Sequence, residues 1–239
     1  MQYTELTLPD PASNLACDEA LLELFEAQRA TDGLLRIWEP ENYFVVLGRS
    51  TRIDSEVDFA ACDSEQLSIF RRLSGGGTIL QGPGCLNYSL ILRNGFDIPL
   101  GIAESFQLVL GHHKQCIQEM IGDRVEIAGI SDLVINGRKF SGNAQYRKRR
   151  FTLVHGTFLL NLDAAIVARC LRLPSKQPAY RRNRSHGCFM LNLNLNPINV
   201  REALQAVWFA TEKFTELPKA MIADLKKSRY GREDWTRKF

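Results

Sequence analysis

Apolar positions recur at near-helical spacing from Asn14 to about Arg29, where Leu15, Cys17, Leu21, Leu22 and Phe25 share a side and Asn14 is placed to cap. A second helical stretch runs from about Leu100 to Ile121, with Ile102, Phe106, Val109, Leu110 and Ile117 on its apolar side. Between them the period shortens. Leu34–Trp38 and Tyr43–Leu47 predict two short strands around the turn Glu39-Pro40-Glu41-Asn42. A strand over Ser68–Leu73 runs into Ser74-Gly75-Gly76-Gly77. Thr78–Leu80, a turn at Gln81-Gly82-Pro83-Gly84 and a strand at Leu86–Leu92 follow.

In the second half, Val125–Ile127 and Leu133–Ile135 predict strands, the latter turning at Asn136-Gly137, a strong hairpin signal. Phe151–Leu162 predicts another strand, and Asp163 caps a short helix to about Leu171. Pro174–Asn183 is polar, basic and irregular. Phe189–Leu195 alternates as a strand does, and Asn199 with Glu202 forms a capping box for a helix to about Phe214. A basic helix fills Pro218–Arg229. No repeat or regular βαβ alternation is visible, so the expected fold class is α+β (mixed α/β), a mixed sheet flanked by helices.

Composition narrows the function classes. With 239 residues, 45% hydrophobic and 24% charged, the chain is an ordinary globular sequence with ample core. No apolar run reaches membrane-spanning length, and the N-terminus does not read as a secretory signal. The formal charge of +3 is too mild to indicate nucleic acid. Three basic clusters stand out: Arg147-Lys148-Arg149-Arg150, Arg181-Arg182-Asn183-Arg184 and Lys226-Lys227-Ser228-Arg229. Six scattered cysteines without a C-x-x-C pair fit reduced thiols in a cytoplasmic chain, and four histidines lack zinc-ligand spacing, so no structural metal is expected.

Three segments carry candidate chemistry. In Arg71-Arg72-Leu73-Ser74-Gly75-Gly76-Gly77-Thr78, consecutive glycines let a ligand lie against the backbone and their N–H groups converge on an anion. No Gly-Lys-Ser/Thr follows, so this is not a Walker loop. Lys139, just past the tight turn in Asp132-Leu133-Val134-Ile135-Asn136-Gly137-Arg138-Lys139-Phe140-Ser141-Gly142-Asn143-Ala144, sits on short, stiff backbone. A lysine there can neutralise charge that builds up during acyl activation. The third segment is His155-Gly156-Thr157, where a lone histidine is by itself more often structural than catalytic.

Together, R-R-L-S-G-G-G-T, D-L-V-I-N-G-R-K-F-S-G-N-A and H-G-T-F-L-L-N resemble the lipoate–protein ligase family, which belongs with the octanoyltransferases and biotin protein ligases. Asn14-Leu15-Ala16 with Asp18-Glu19, Leu47-Gly48-Arg49 and Leu86-Asn87-Tyr88-Ser89 extend the resemblance over about residues 12–195. It implies a catalytic domain over 1–195, with a short helical extension over 196–239. It implies Lys139 as the essential lysine, and Arg72, Ser74, Gly75, Gly76, Gly77, Asn87, Asp132, Ser141, Gly142, Ala144, His155, Gly156 and Thr157 around the acyl and adenylate site. ATP and Mg²⁺ are implied as co-substrates, with Asp132 near the ion, and lipoate or octanoate as the acyl substrate. The implied partner is an acidic lipoyl-domain acceptor, without nucleic acid or membrane, and the chain is expected to be a monomer.

Two departures bear on the reaction. Gln81-Gly82 stands where family ligases commonly carry His-Asp, and no large C-terminal accessory domain fits after Asn196. The rival reading is an octanoyltransferase or lipoyl amidotransferase that works through a cysteine thioester. Its cysteine should follow the lysine segment, and Asn143–Asn161 contains none. Cys85 and Cys188 are the remaining candidates. A non-catalytic lipoyl-binding subunit is the third alternative.

Overall fold

The computed structural model describes residues 1–28 and 30–239. Its first half contains β1 (Gln2–Glu5), α1 (Pro11–Gln28), β2 (Leu34–Trp38), β3 (Phe44–Leu47), α2 (Ile53–Glu56), α3 (Phe59–Ser64), β4 (Ser68–Arg71), β5 (Ile79–Gln81) and β6 (Cys85–Arg93). Then come α4 (Ile102–Ile121), β7 (Glu126–Ala128), β8 (Asp132–Ile135), β9 (Arg138–Arg147), β10 (Phe151–Leu159), α5 (Ala164–Cys170) and α6 (His186–Phe189). The C-terminal part holds α7 (Pro197–Val207), β11 (Glu212–Lys213), α8 (Lys219–Leu225) and α9 (Glu233–Thr236).

Eight strands form one mixed sheet in the order β11-β1-β2-β6-β10-β9-β8-β7, and β4-β3-β5 form a second, small sheet. The expected mixed sheet flanked by helices is what the chain builds. Strands β2 and β3, adjacent in sequence, lie in different sheets. Strict alternation along the central strands creates two unlike faces. Leu35, Ile37, Tyr88, Leu90, Leu92, Val154 and Phe158 point to one face, where Phe106, Val109 and Leu110 of α4 and Val200 and Leu204 of α7 cover them. Trp208 anchors α7 by donating to Nε2 of His113 at 2.9 Å, and burial pulls that imidazole down to about 3, so it is neutral. On the other face Leu34, Ile91, Phe151 and Leu153 pack on α1. Farther along that same face the positions turn polar, and the cavity opens there.

Several elements differ from their sequence patterns. Helix α1 begins at Pro11, with Ser13 N–H bonded to Asp10 at 2.9 Å, so Asn14 is interior. Its expected end at Arg29 lies outside the described residues. Met190–Leu195 is not a strand. Its alternating Leu191, Leu193 and Leu195 do pack on the core, but its backbone bonds to strand margins at Lys139, Leu159 and Leu160 and to the α6 carbonyl of His186. Helix α7 starts with Asn196 as cap and Pro197 in its first turn, so Asn199 and Glu202 fall inside it. It ends at Val207, and β11 then pairs with β1.

The segment after Asn196 enters the same core as the rest. Phe214 packs its ring 5.7 Å from Phe25, and Ile222 and Tyr230 join the α1 cluster. No helix among the described residues is long and apolar enough to cross a membrane. Truncating buried Phe214 to Ala should cost about 3–5 kcal/mol. Urea unfolding should still show one transition, and a separate early transition for the C-terminal segment would contradict this shared core.

Candidate active site

A cavity of about 590 Å³ opens between the polar part of the sheet, the glycine loop and the segment before α6. Leu15, Trp38, Val46 and Ile79 give one part of it an apolar wall, whereas Asp132, Lys139, Lys176 and Arg181 line a charged part. The cross-strand register brings the floor together: Asn87 pairs with Thr157, Ser89 with His155, His155 with Ala144, Thr157 with Gly142, and Gly142 with Asp132. Directly opposed residues share a face, so one sheet face presents all of them.

Lys139 reaches this face through a bulge. Leu133 pairs with Ser141 but Val134 pairs with Lys139, which leaves Phe140 as the extra residue. Phe140 is buried in the α4 core. Lys139 and Gly142, three apart on one strand, would otherwise face opposite sides. Here a Cβ on Gly142 would stand 2.6 Å from Lys139 Nζ, so the amine lies directly over the Gly142 backbone. Nζ is 2.7 Å from Asp132 Oδ1, and the Tyr180 hydroxyl donates to Oδ2 at 2.7 Å. Burial and that carboxylate push the Tyr180 phenol well up, which keeps it a donor.

The glycine loop is pinned by its carbonyls. Ser74 O accepts from Arg49 N–H at 2.9 Å, Gly75 O from Arg72 Nη2 at 2.7 Å, Gly76 O from the Thr51 hydroxyl at 3.0 Å and Gly77 O from Arg72 Nη2 at 2.9 Å. The N–H groups of Gly75, Gly76 and Gly77 make no hydrogen bond to the protein among the described residues. This leaves free donors on a fixed backbone, an arrangement suited to an anion. Gly76 has φ +95°, and a Cβ at Gly48 would sit 1.9 Å from its carbonyl oxygen. Burial pulls the Arg72 guanidinium down to about 10, still a cation at neutral pH. Neighbouring Arg71 is wholly buried and spent on main-chain carbonyls, including Gly48 at 2.7 Å, Thr51 at 2.8 Å and Thr236 at 2.7 Å.

His155 joins this loop to α1. Its Nε2 lies 2.6 Å from Ser74 Oγ and its Nδ1 lies 3.3 Å from Asp18 Oδ2. A carboxylate only accepts, so Nδ1 carries the proton towards Asp18. Asp18 Oδ1 is bonded to Arg36 Nη1 at 2.6 Å. Burial alone would raise the Asp18 pKa, but the Arg36 charge, aided by His155, holds it below the ordinary carboxylate value. Beside them Gln81, Asn87 and Thr157 close a buried triangle: Gln81 Nε2 donates to Asn87 at 2.9 Å and to Thr157 at 2.7 Å, and the Thr157 hydroxyl donates to Asn87 at 2.6 Å.

Of the residues singled out in the sequence, Arg72, Gly76, Gly77, Asn87, Asp132, Lys139, Gly142, Ala144, His155, Gly156 and Thr157 line the cavity. Ser74, Gly75 and Ser141 are not on its wall. Ser74 supports the loop through His155, and Ser141 is buried behind Asn143. Asp132 has both oxygens engaged, and the described residues hold no cluster of three or more His, Cys, Asp or Glu able to bind a metal. The residues present therefore do not form a resident Mg²⁺ site. No cysteine lines the cavity: Cys85 is buried, its thiol pushed up to about 12, and Cys188 is exposed elsewhere.

Sequence reasoning missed Asp18 as a site residue, along with Arg36, Trp38, Tyr180, Arg181 and Lys176. One signal was available. Arg36 is a charge inside the apolar run Leu34-Leu35-Arg36-Ile37-Trp38, and a buried charge requires a partner.

The family profile described as "Lipoyl protein ligase A/B catalytic domain" matches residues 10–212. An octanoyltransferase LipM of Oceanobacillus iheyensis is 27% identical over 198 residues, 76% of this chain and 72% of that one. A lipoate–protein ligase 1 of Staphylococcus aureus is 29% identical over 170 residues, 71% of this chain but 49% of the relative. Two solved structures share the fold. The bi-partite lipoate protein ligase of Thermoplasma acidophilum, studied with its E2 lipoyl domain, has a TM-score of 0.83 and 21% identity, with 99% of this chain and 96% of that one aligned. A lipoate-protein ligase A bound with ATP has a TM-score of 0.80 and 22% identity, with 99% of each chain aligned.

The buried pair gives a pH-dependent expectation. A depressed folded-state pKa makes Asp18 stabilising above the unfolded carboxylate value of about 3.9, and this contribution fades as pH falls below it. Asp18→Asn leaves Arg36 buried without its anion, so it should lose about 3–5 kcal/mol at neutral pH. The difference from wild type in urea unfolding should narrow in acid. Equal stability of the two proteins at neutral pH would refute the pairing.

Proposed function

The chain belongs to the lipoyl protein ligase A/B catalytic-domain family, and we propose that within it the protein is a lipoate–protein ligase. In this reading lipoate lies with its hydrocarbon along Leu15, Trp38, Val46 and Ile79, and its carboxylate reaches Lys139. The observation that carries the reading is the charged part of the cavity. Lys139, Arg72, Arg181 and Lys176 line it together with the glycine loop, and no thiol does. Cations and fixed donors suit a carboxylate meeting a triphosphate, where charge accumulates in the transition state.

The lipoate carboxylate oxygen attacks the α-phosphorus of ATP and the bond to pyrophosphate breaks, leaving lipoyl-adenylate. Lys139 is held by Asp132 where both acids must be neutralised. An acceptor lysine amine, having given up its proton, then attacks the acyl carbon. AMP leaves with the electron pair, and the amide remains. Mg²⁺ enters this reading with the nucleotide, as part of the substrate. Lys176, Pro178 and Arg181 line the cavity beside the adenylate position in this reading.

The octanoyltransferase reading draws support from one comparison: the chain covers 72% of the Oceanobacillus octanoyltransferase but only about half of the Staphylococcus ligase. That reaction needs an acyl-thioester donor and an enzyme nucleophile. Incubating the protein with lipoate and an acceptor lipoyl domain, with and without Mg-ATP, separates the two by the mass of the acceptor. A lipoyl-sized gain that requires ATP is expected. Gain only from an octanoyl-carrier protein would replace the ligase by the transferase.

Replacing Lys139 by Ala should lower transfer by about 10²–10³-fold or more, with the fold retained because the lysine lies at the cavity wall. Cys85→Ser and Cys188→Ser should be nearly silent. Wild-type rates in a folded Lys139→Ala protein would remove the lysine from the reaction. A trapped acyl-enzyme lost with either cysteine variant would remove the ligase.

A further inference from the structure

The three basic clusters are not equivalent. On the β9–β10 hairpin Lys148 is paired with Glu23, Arg150 lies 3.6 Å from Glu26, and Arg147 is held by the carbonyls of Pro99 and Gly101. In the C-terminal cluster Lys226 pairs with Asp10 at 2.7 Å and Arg229 pairs with Glu19. These two clusters are largely neutralised by α1 and its N-terminal approach. They brace the fold.

The third cluster forms no such ion pairs. Among the described residues Lys176, Arg181, Arg182 and Arg184 form no ion pair, and neither does Arg138 on the adjacent turn. Arg184 donates to Gly137 O at 2.8 Å, and Arg138 donates to Met190 O at 2.6 Å, so the cations share one rim. That rim belongs to the cavity mouth, because Lys176, Arg181 and Ile130 are part of the cavity lining. Lys176, Arg138 and Arg182 are exposed. Ile130 is 71% exposed, a large apolar side chain beside cations that form no ion pair.

Like charges gathered around an apolar side chain are stabilised when an oppositely charged surface covers them. The mouth is also where any macromolecular amine must enter to reach Lys139. We propose that the rim formed by Ile130, Arg138, Lys176, Arg182 and Arg184 docks a protein acceptor that carries acidic residues around its target lysine. This rests on the reading that the site acylates a protein lysine. Four scattered cations around a closed mouth do not make a track for a nucleic-acid backbone, which would need a continuous basic stripe.

The test uses the full chain with Arg138→Glu and Arg182→Glu combined, both outside the cavity wall. Two readouts are compared: acylation of a lipoyl domain, and lipoate-dependent ATP–pyrophosphate exchange, which needs no acceptor. The double variant should raise the KM for the acceptor on the order of tenfold, leave exchange unchanged and flatten the salt dependence of KM. Lysines introduced beside the acceptor's target lysine should restore transfer by the double variant. The control pair Arg149→Glu and Lys227→Glu should match wild type. An unchanged acceptor KM in the folded double variant, or an equal loss in the control pair, would overturn the docking surface. So would a single-stranded oligonucleotide that binds wild type and not the double variant while acceptor KM is unchanged. If wild type shows neither exchange nor acylation, the ligase reading itself fails and the surface falls with it.

Discussion

A guanidinium buried in the middle of a strand dictates much of the rest. Arg36 has no solvent access, and an unpaired charge there would be prohibitive. Its donors are met by Asp18 and Asn14 of α1 and by the Leu6 carbonyl, which fixes the first helix and the segment before it against β2. The second Asp18 oxygen orients His155 on β10, and His155 in turn holds Ser74 at the head of the glycine loop. A requirement of folding thus propagates through four side chains into the loop that presents free amides to the cavity. Stability and site geometry share one set of bonds, so damage at Asp18 is felt in both.

The glycine loop shows how that rigidity is used. Every carbonyl from Ser74 to Gly77 is bonded to the protein, through Arg49, Arg72 or Thr51. A peptide whose carbonyl is fixed has little freedom left for its N–H. The donors are therefore oriented before a ligand arrives, and less ordering has to accompany binding. Arg71 stiffens the turn behind the loop by tying Gly48 and Thr51 to the C-terminal Thr236. Both adjacent arginines hold main-chain carbonyls, Arg71 behind the loop and Arg72 at the cavity wall.

Much of this was legible in the sequence where the signal is local. The Asn136-Gly137 hairpin forms with φ of 50° and 71° at the two residues, the left-handed values that this dipeptide favours. Gly76, Gly77 and Lys139 line one cavity. What alternation could not convey is the bulge at Phe140, because inserting one residue reverses the face of everything before it. Nor could the pattern of Phe189–Leu195 distinguish a paired strand from an extended segment bonded to strand margins. Asn14 has the chemistry of a cap, yet its side chain is drawn inward by Arg36, a demand that arises twenty-two residues away. Partners brought together by tertiary packing have no local signature. For that reason the Asp18–His155–Ser74 connection and the cavity lining by Lys176 and Arg181 became visible only in three dimensions.

The Gln81-Gly82 pair has a definite physical setting in the structure. A Cβ at position 82 would lie 2.0 Å from Tyr43 Cδ1, so an aspartate there is incompatible with the tyrosine in its present position. Gln81 supplies both donors and an acceptor to the buried triangle with Asn87 and Thr157. Gln81 is therefore one part of a mutually satisfied set, and Tyr43 fills the space beside Gly82. This part of the cavity floor is neutral, with Gln81, Asn87 and Thr157 bonded to one another. Charge at the site is then concentrated in Arg72, Lys139, Lys176 and Arg181, opposite the Asp132 carboxylate that Lys139 and Tyr180 already hold. A polyanion entering this cavity meets cations on its walls and no unpaired carboxylate beside Lys139, an arrangement that favours negative charge accumulating there.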